Sequence, residues 1–174
     1  MELYRCEICG DPYLGEEKPK NCPFCGAHER YLVTQNDFID STGVVQDLTE
    51  TSKENLEAAL KLEVGNAEFY VCASRKAETD EMKNLFKALS KVESEHASVL
   101  CKALGTKKPP ISTDYDECST KDIDNLKESH IREDRAIHKY AKFLSEATEP
   151  RVIEIFSAII AVESDHLSLS EERM

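Results

Sequence analysis

From about Thr51 to Met174, apolar residues recur at three- and four-residue spacing, the signature of helices with one buried face. Leu56, Leu60, Glu63, Ala67 and Tyr70 follow one such stripe, and Leu126, Glu133, Ile137 and Tyr140 follow another. Phe86, Leu89, Glu93, His96 and Leu100 form a third; Phe156, Ile160, Glu163, His166 and Leu167 form a fourth. Four helices are predicted. The first opens with the capping-box pattern Thr51-Ser-Lys-Glu54 and runs to about Ala77; the second runs from near Thr79 to Gly105, a natural C-terminal stop. The third starts near Ser119 or Thr120 and fades near Thr148, and Pro150 opens the fourth. Upstream the periodicity is absent. Residues 1–38 read as a small module, 39–50 as a linker and 51–174 as a helical bundle.

Short connections make each half of the bundle an antiparallel hairpin. The connection between the second and third helices is different: Gly105 to Cys118 is 14 residues long and includes Pro109-Pro110. Extended, it reaches roughly 46 Å, while a helix of about 26 residues is roughly 39 Å long. It can therefore run the length of the bundle and return the third helix parallel to the second. The expected fold is mostly α, a ferritin-like four-helix bundle with one long crossover.

The two halves also resemble each other. At an offset of 70, Asn55-Leu56 falls on Asn125-Leu126, Glu63 on Glu133, Tyr70 on Tyr140 and Phe86 on Phe156. Val92-Glu-Ser-Glu-His96 falls on Val162-Glu-Ser-Asp-His166. Matches at polar positions are not expected of generic amphipathic helices, so the bundle reads as a duplicated hairpin with pseudo-twofold symmetry.

Composition narrows the function. Lys plus Arg total 22 against 34 Asp plus Glu, a formal net charge of −12. Such a surface repels phosphate backbones, so nucleic acid is not an expected partner. Ala158 to Val162 is far too short to span a bilayer, and no basic-then-apolar leader opens the chain; no membrane association and a cytoplasmic location are expected. Seven cysteines in a reducing compartment suggest metal ligands before disulfides.

Four of those cysteines form two Cys-x-x-Cys-Gly turns, Cys6/Cys9 and Cys22/Cys25. Each turn sets two thiolates side by side, and the following glycine can take positive φ. Two facing turns make a tetrahedron of soft sulfur that suits zinc and iron alike, so an inert zinc staple and a redox iron both fit the spacing. Cys72, Cys101 and Cys118 lack paired spacing and read as buried or incidental thiols. His28 and His138 read as surface residues.

The helical stripes carry the sharper chemistry. Glu93 and His96, like Glu163 and His166, lie three apart on one helical face. With Glu63 and Glu133, four carboxylates and two imidazoles point into an apolar interior. A buried unpaired carboxylate costs several kcal/mol, and two histidines cannot offset four of them. Two divalent cations can, at four positive charges against four negative; a salt-bridge network is the blander alternative.

A rubredoxin-like pair of knuckles followed by this bundle resembles a rubrerythrin of the "reverse" order, with the iron–sulfur module first. The resemblance implies one iron on Cys6, Cys9, Cys22 and Cys25, and two on Glu63, Glu93, His96, Glu133, Glu163 and His166. Tyr70 and Tyr140 match family tyrosines that hydrogen-bond near the cluster. It further implies a peroxidase reducing hydrogen peroxide to water, an external electron donor feeding the rubredoxin-like iron, and a homodimer or higher homo-oligomer. The dimer is expected to bring one chain's small module to the other's cluster, because a module at one end of a long bundle lies far from its own. One position departs from the family: a second glutamate usually follows the third-helix ligand by three residues, and here that residue is Ala136. The remaining six-ligand set is more like that of bacterioferritin. It keeps open a ferroxidase or dioxygen-consuming iron-handling protein; a zinc-stapled structural or interaction protein is the non-enzymatic alternative. His130, one turn before Glu133, reads as a partly buried histidine, with a nearby base or ligand as its other reading.

Overall fold

The computed structural model describes residues 1–174. The N-terminal module is a three-stranded antiparallel sheet, β1 (Glu2–Cys6), β2 (Pro12–Gly15) and β3 (Leu32–Thr34), in the order β2-β1-β3. Four helices follow: α1 (Glu50–Lys76), α2 (Asp80–Leu104), α3 (Asp122–Glu146) and α4 (Pro150–Glu171). α1 packs most extensively on α2, and α3 on α4; α1 also meets α3, and α2 meets α4. The N-terminal ends of α1 and α4 adjoin, as do those of α2 and α3, so each diagonal pair is parallel and all neighbours are antiparallel. This is the ferritin-like, one-crossover arrangement expected from the sequence. No helix is long and apolar enough to cross a membrane.

Helix ends depend partly on tertiary neighbours. Thr49, not Thr51, caps α1: its hydroxyl accepts from Ser52 N–H at 3.1 Å. Glu149, at the start of α4, completes the cap, accepting from Thr49 N–H at 2.7 Å and from the Ser52 hydroxyl at 2.5 Å. The expected Thr51 box fails because the carboxylate that closes the end comes from 100 residues away. α3 likewise begins at Asp122, not at Ser119 or Thr120, with its first N–H received by Glu78 at 3.0 Å. Thr79 caps α2, Gly105 ends it at φ 68°, and Pro150 opens α4, all as expected.

The crossover is pinned along its course. Arg75 donates to the carbonyls of Thr113 and Tyr115, and Lys76 to those of Asp116 and Cys118. Cys118 is also disulfide-bonded to Cys72, with the two Cα atoms 6.0 Å apart. This corrects the reading of both as unpaired thiols. They are 46 residues apart, so only the path of the crossover brings them together. Cys101 is a free, buried thiol.

The small module does not sit at one end of the bundle. It lies across the seam between α2 and α4 and shares a continuous core with them, Ile8, Cys25 and Leu32 packing into the same cluster as Val99, Leu100, Ile155 and Ile159. Arg151 on α4 donates to the carbonyls of Glu7 and Ile8 at 2.8 and 2.7 Å, and Lys102 on α2 donates to Cys9 O at 2.6 Å. His28, read as a surface residue, meets Asp165 at 2.7 Å and latches the module to α4. Backbone permissiveness decides the fit at one point. Gly26 has φ +74°, and a Cβ there would lie 2.7 Å from Val162 Cγ1.

Candidate metal centres

The two knuckles face each other as their spacing suggests. Gly10 N–H donates to Cys6 O at 2.8 Å and Gly26 N–H to Cys22 O at 3.0 Å, and both glycines have positive φ. The four sulfurs lie within 4.8 Å of one another, and all four residues are buried. Cys6 and Cys25 sulfurs are 3.7 Å apart, Cys9 and Cys22 sulfurs 3.8 Å. Hydrogen bonds from Cys22 and Cys25 pull the Cys6 thiol down, and Cys22 is lowered by its bond with Cys25. The same contacts push Cys9 and Cys25 up. Four thiols packed together compete for protons; a single cation bound to four thiolates ends that competition. The cluster can hold a rubredoxin-like metal.

Within the bundle all six expected side chains converge, with the four glutamates fully buried. They form two groups, Glu63, Glu93, His96 and Glu163 in one, Glu93, Glu133, Glu163 and His166 in the other. Glu93 and Glu163 belong to both, so their carboxylates face both positions. His96 Nδ1 lies 3.1 Å from Glu163 Oε1 and 3.3 Å from Glu93 Oε2. His166 Nδ1 lies 3.1 Å from Glu93 Oε1 and 3.4 Å from Glu163 Oε2. The duplicated Glu-x-x-His segments therefore each present one carboxylate oxygen to either side of a pseudo-twofold axis.

The donor atoms test the fit to metal. Eight atoms of these residues are buried without a hydrogen-bond partner: Oε2 of Glu63 and Glu133, both carboxylate oxygens of Glu93 and Glu163, and Nδ1 of His96 and His166. They divide four and four between the two groups. Leaving a buried polar atom unsatisfied costs about 1–3 kcal/mol, more when it is charged, and such atoms are rare in folded proteins. Two cations satisfy all eight. The cluster can hold a di-iron pair.

The outer contacts fix the ligands' orientation. Tyr70 on α1 donates to Glu133 Oε1 on α3, and Tyr140 on α3 donates to Glu63 Oε1 on α1. Each tyrosine thus turns the other oxygen of its glutamate inward. Burial, then the charges of Glu133 and Glu63 respectively, raises both phenols well above their ordinary value, so they stay donors. His96 Nε2 lies 2.9 Å from Cys25 O. A carbonyl only accepts, so Nε2 carries a proton and Nδ1 is the nitrogen that faces the cluster, able to ligate once its own proton is displaced.

Protons and charges are arranged to match. Burial, reinforced by Glu163, raises Glu63 and Glu133 well above the usual carboxylate range. Burial also opposes charge on Glu93 and Glu163, but the neighbouring histidines outweigh it and both are lowered. Burial disfavours the imidazolium of His166, yet Glu163 and Glu93 raise it to about 10; His96 is raised well above its ordinary value by the carboxylates around it. These shifts favour protonated His96 and His166 beside ionised Glu93 and Glu163, and the protonated form of Glu63 and Glu133.

The symmetry is broken in three places. Tyr70 also meets the Ser129 hydroxyl at 2.7 Å, whereas the equivalent position beside Tyr140 is Ala59. Only His96 touches the small module. Ala136, where the family usually has another glutamate, is fully buried among Tyr140, Phe143 and other apolar side chains. His130 stands apart from the cluster with Glu171 at 3.8 Å, and His138 is exposed on α3. Sequence reasoning missed the Cys25–His96 contact, for which no local signal exists.

A four-helix bundle with two carboxylate–histidine groups sharing a pair of glutamates defines a protein of the non-haem di-iron carboxylate class. The sequence matches the Rubrerythrin family over residues 54–173, and the chain belongs to that family. Reverse rubrerythrin-1 of Clostridium acetobutylicum is 30% identical over 114 residues, which is 60% of this chain and 63% of that protein. The chain therefore spans less than two thirds of the curated relative's length. The four-cysteine module precedes the bundle here, the order of the reverse type. No solved structure matches the chain.

Proposed function

We propose that the protein is a di-iron oxidoreductase that reduces hydrogen peroxide to water, with electrons entering through iron on Cys6, Cys9, Cys22 and Cys25. The observation that carries this reading is the 2.9 Å contact between Cys25 O and His96 Nε2. It links the two ligand sets within one chain by covalent bonds and a single hydrogen bond. An iron store needs no such entry, whereas a peroxidase must be re-reduced after each turnover. That contact supports electron entry within one chain, without a second chain to bridge the centres. A homo-oligomer remains compatible with the arrangement but is not required by it.

When bound, two ferrous ions supply the two electrons that, with two protons, convert one hydrogen peroxide into two waters. Glu93 and Glu163 face both positions and would hold both ions, while Glu63 with His96 and Glu133 with His166 would complete each side. Tyr70 and Tyr140 fix the terminal glutamates and hold hydroxyl protons against their oxygens. The dry interior keeps bulk water from the ligands and strengthens every one of these contacts. Residues 1–38 serve as the electron-entry module, clamped by Arg151, Lys102 and His28. An external one-electron donor reaches it from the solvent side.

The buried Ala136 favours a second reading, a ferroxidase that consumes dioxygen, since it leaves the six-residue ligand set of an iron-handling site. Single-turnover oxidation of the iron-loaded, fully reduced protein separates the two. Fast stoichiometric oxidation by peroxide and slow reaction with dioxygen is expected. Preference for dioxygen with progressive iron uptake would favour the ferroxidase, and a protein that loads only zinc would remove both. Mixing chains defective in the four-cysteine module with chains defective in the bundle site should restore little turnover, because electron entry lies within one chain.

A further inference from the structure

The small module covers the seam between α2 and α4, but the opposite seam, between α1 and α3, is open. A cleft of about 350 Å³ lies there, lined by Lys61, Gly65 and Asn66 of α1 and by Arg132, Arg135 and Lys139 of α3, with Ala58 and Leu62 at its side. No carboxylate lines it, although acidic residues outnumber basic ones 34 to 22 in this chain. Of the four cations only Arg132 has a carboxylate partner, Glu128 at 2.8 Å. Arg135 and Lys139 are one helical turn apart, a like-charge spacing that opposes helix stability. Asn66 is 3% exposed, and its Nδ2 is buried without a hydrogen-bond partner at the cleft floor. Its Oδ1 lies 3.4 Å from Arg132 Nη1, so the amide's acceptor is engaged while its donor is idle. Gly65 keeps the floor open: a Cβ there would meet nothing within 4 Å.

Donors without acceptors and cations without counter-charges, gathered in one place on an acidic protein, are complementary to an anion. We propose that the α1–α3 cleft binds a small phosphate-class oxyanion, either free or carried on a small metabolite. Arg132 is stacked over the Phe69 ring at 4.4 Å, ion-paired with Glu128 and hydrogen-bonded to Gly65 O, Asn66 Oδ1 and the Tyr115 hydroxyl, which fixes its fork as one wall of the site. Arg135 supplies paired N–H donors suited to two phosphate oxygens, and Lys61 and Lys139 supply charge from either side. The site is built from residues outside the metal ligands, and it stands or falls independently of the proposed peroxide chemistry.

Calorimetric titration of the iron-loaded protein with inorganic phosphate, alongside ³¹P line broadening, tests it. One saturable site per chain is expected, weakening as salt rises. The double variant R135Q/K139Q should lose at least about tenfold in affinity, while K142Q, on the same helix but outside the cleft, should bind as the parent does. Phosphate that binds only at the metals would be unaffected by R135Q/K139Q, and that result overturns the proposal. So does the absence of saturable uptake, or sedimentation showing a dimer that dissociates on R135Q/K139Q without any phosphate bound, which would make the cleft a contact for a second copy. A parallel titration with a phosphomonoester separates the two sources. Tighter binding than inorganic phosphate supports a carried phosphate, and equal or weaker binding supports the free anion.

Discussion

Loading the bundle site with two divalent ions should expel about four protons, a number that follows from the charges of the residues present. The site holds four carboxylates and two imidazoles, all buried. Without cations, their carboxylate neighbours shift His96 and His166 toward the protonated form, and burial shifts Glu63 and Glu133 the same way. Only Glu93 and Glu163 stay ionised, so two positive charges meet two negative ones. Two ferrous or zinc ions replace all four of those protons and leave the same neutral sum. The sign follows directly: groups with raised values bind protons that the metal must displace, so metal affinity rises with pH for as long as those groups hold protons, His166 up to about 10. Each proton contributes about 1.4 kcal/mol per pH unit, so four make about 5.5 kcal/mol for the pair of ions. The measurement is calorimetric titration of protein whose four-cysteine site is already filled, repeated in buffers of different ionisation enthalpy. A release near four protons per pair is expected around neutral pH. Two or fewer would show that Glu63 and Glu133 are ionised without metal, which refutes the reasoning that burial governs this cluster.

Three further outcomes follow from residues other than the candidate ligands. Cys118→Ser should lower stability by up to about 4 kcal/mol, the loop-entropy value for a closure of this length, read as a shifted denaturant midpoint; a dithiol should reproduce the loss in the parent and cause none in the variant. Gly26→Ala should cost at least about 1–2 kcal/mol, because its φ is +74° and its Cβ would strike Val162, and amide exchange should quicken around Cys22 to His28. Glu149 is lowered to about 2: slight burial opposes this, and the Ser52 hydroxyl and Thr49 N–H outweigh it. Its stabilising effect is present above the ordinary carboxylate value and is lost as pH falls toward about 2, so Glu149→Gln should cost about 1 kcal/mol at pH 7 and almost nothing near pH 2.

How much of this was legible beforehand differs from element to element. Glu93 and His96 share a helical face because they are three residues apart, and no tertiary information is needed to know it. The same holds for the two Cys-x-x-Cys turns, the Thr79 and Gly105 caps of α2, and the duplication at offset 70, which brings Tyr70 and Tyr140 into equivalent places. The start of α1 was not legible, since the carboxylate that closes it is Glu149. Nor was the Cys72–Cys118 bond, which joins residues with no spacing rule between them.

The chain's own pattern determined which side chains are candidate metal ligands: local periodicity places carboxylates and imidazoles on buried faces, and knuckle geometry pairs the thiols, because both depend on residues a few positions apart. Only the tertiary structure decided how those sets meet. The small module lies against the α2–α4 seam, Cys25 O reaches His96, and the opposite seam is left open and basic. These are contacts between segments 66 or more residues apart, and no short-range rule of spacing or conformation specifies them.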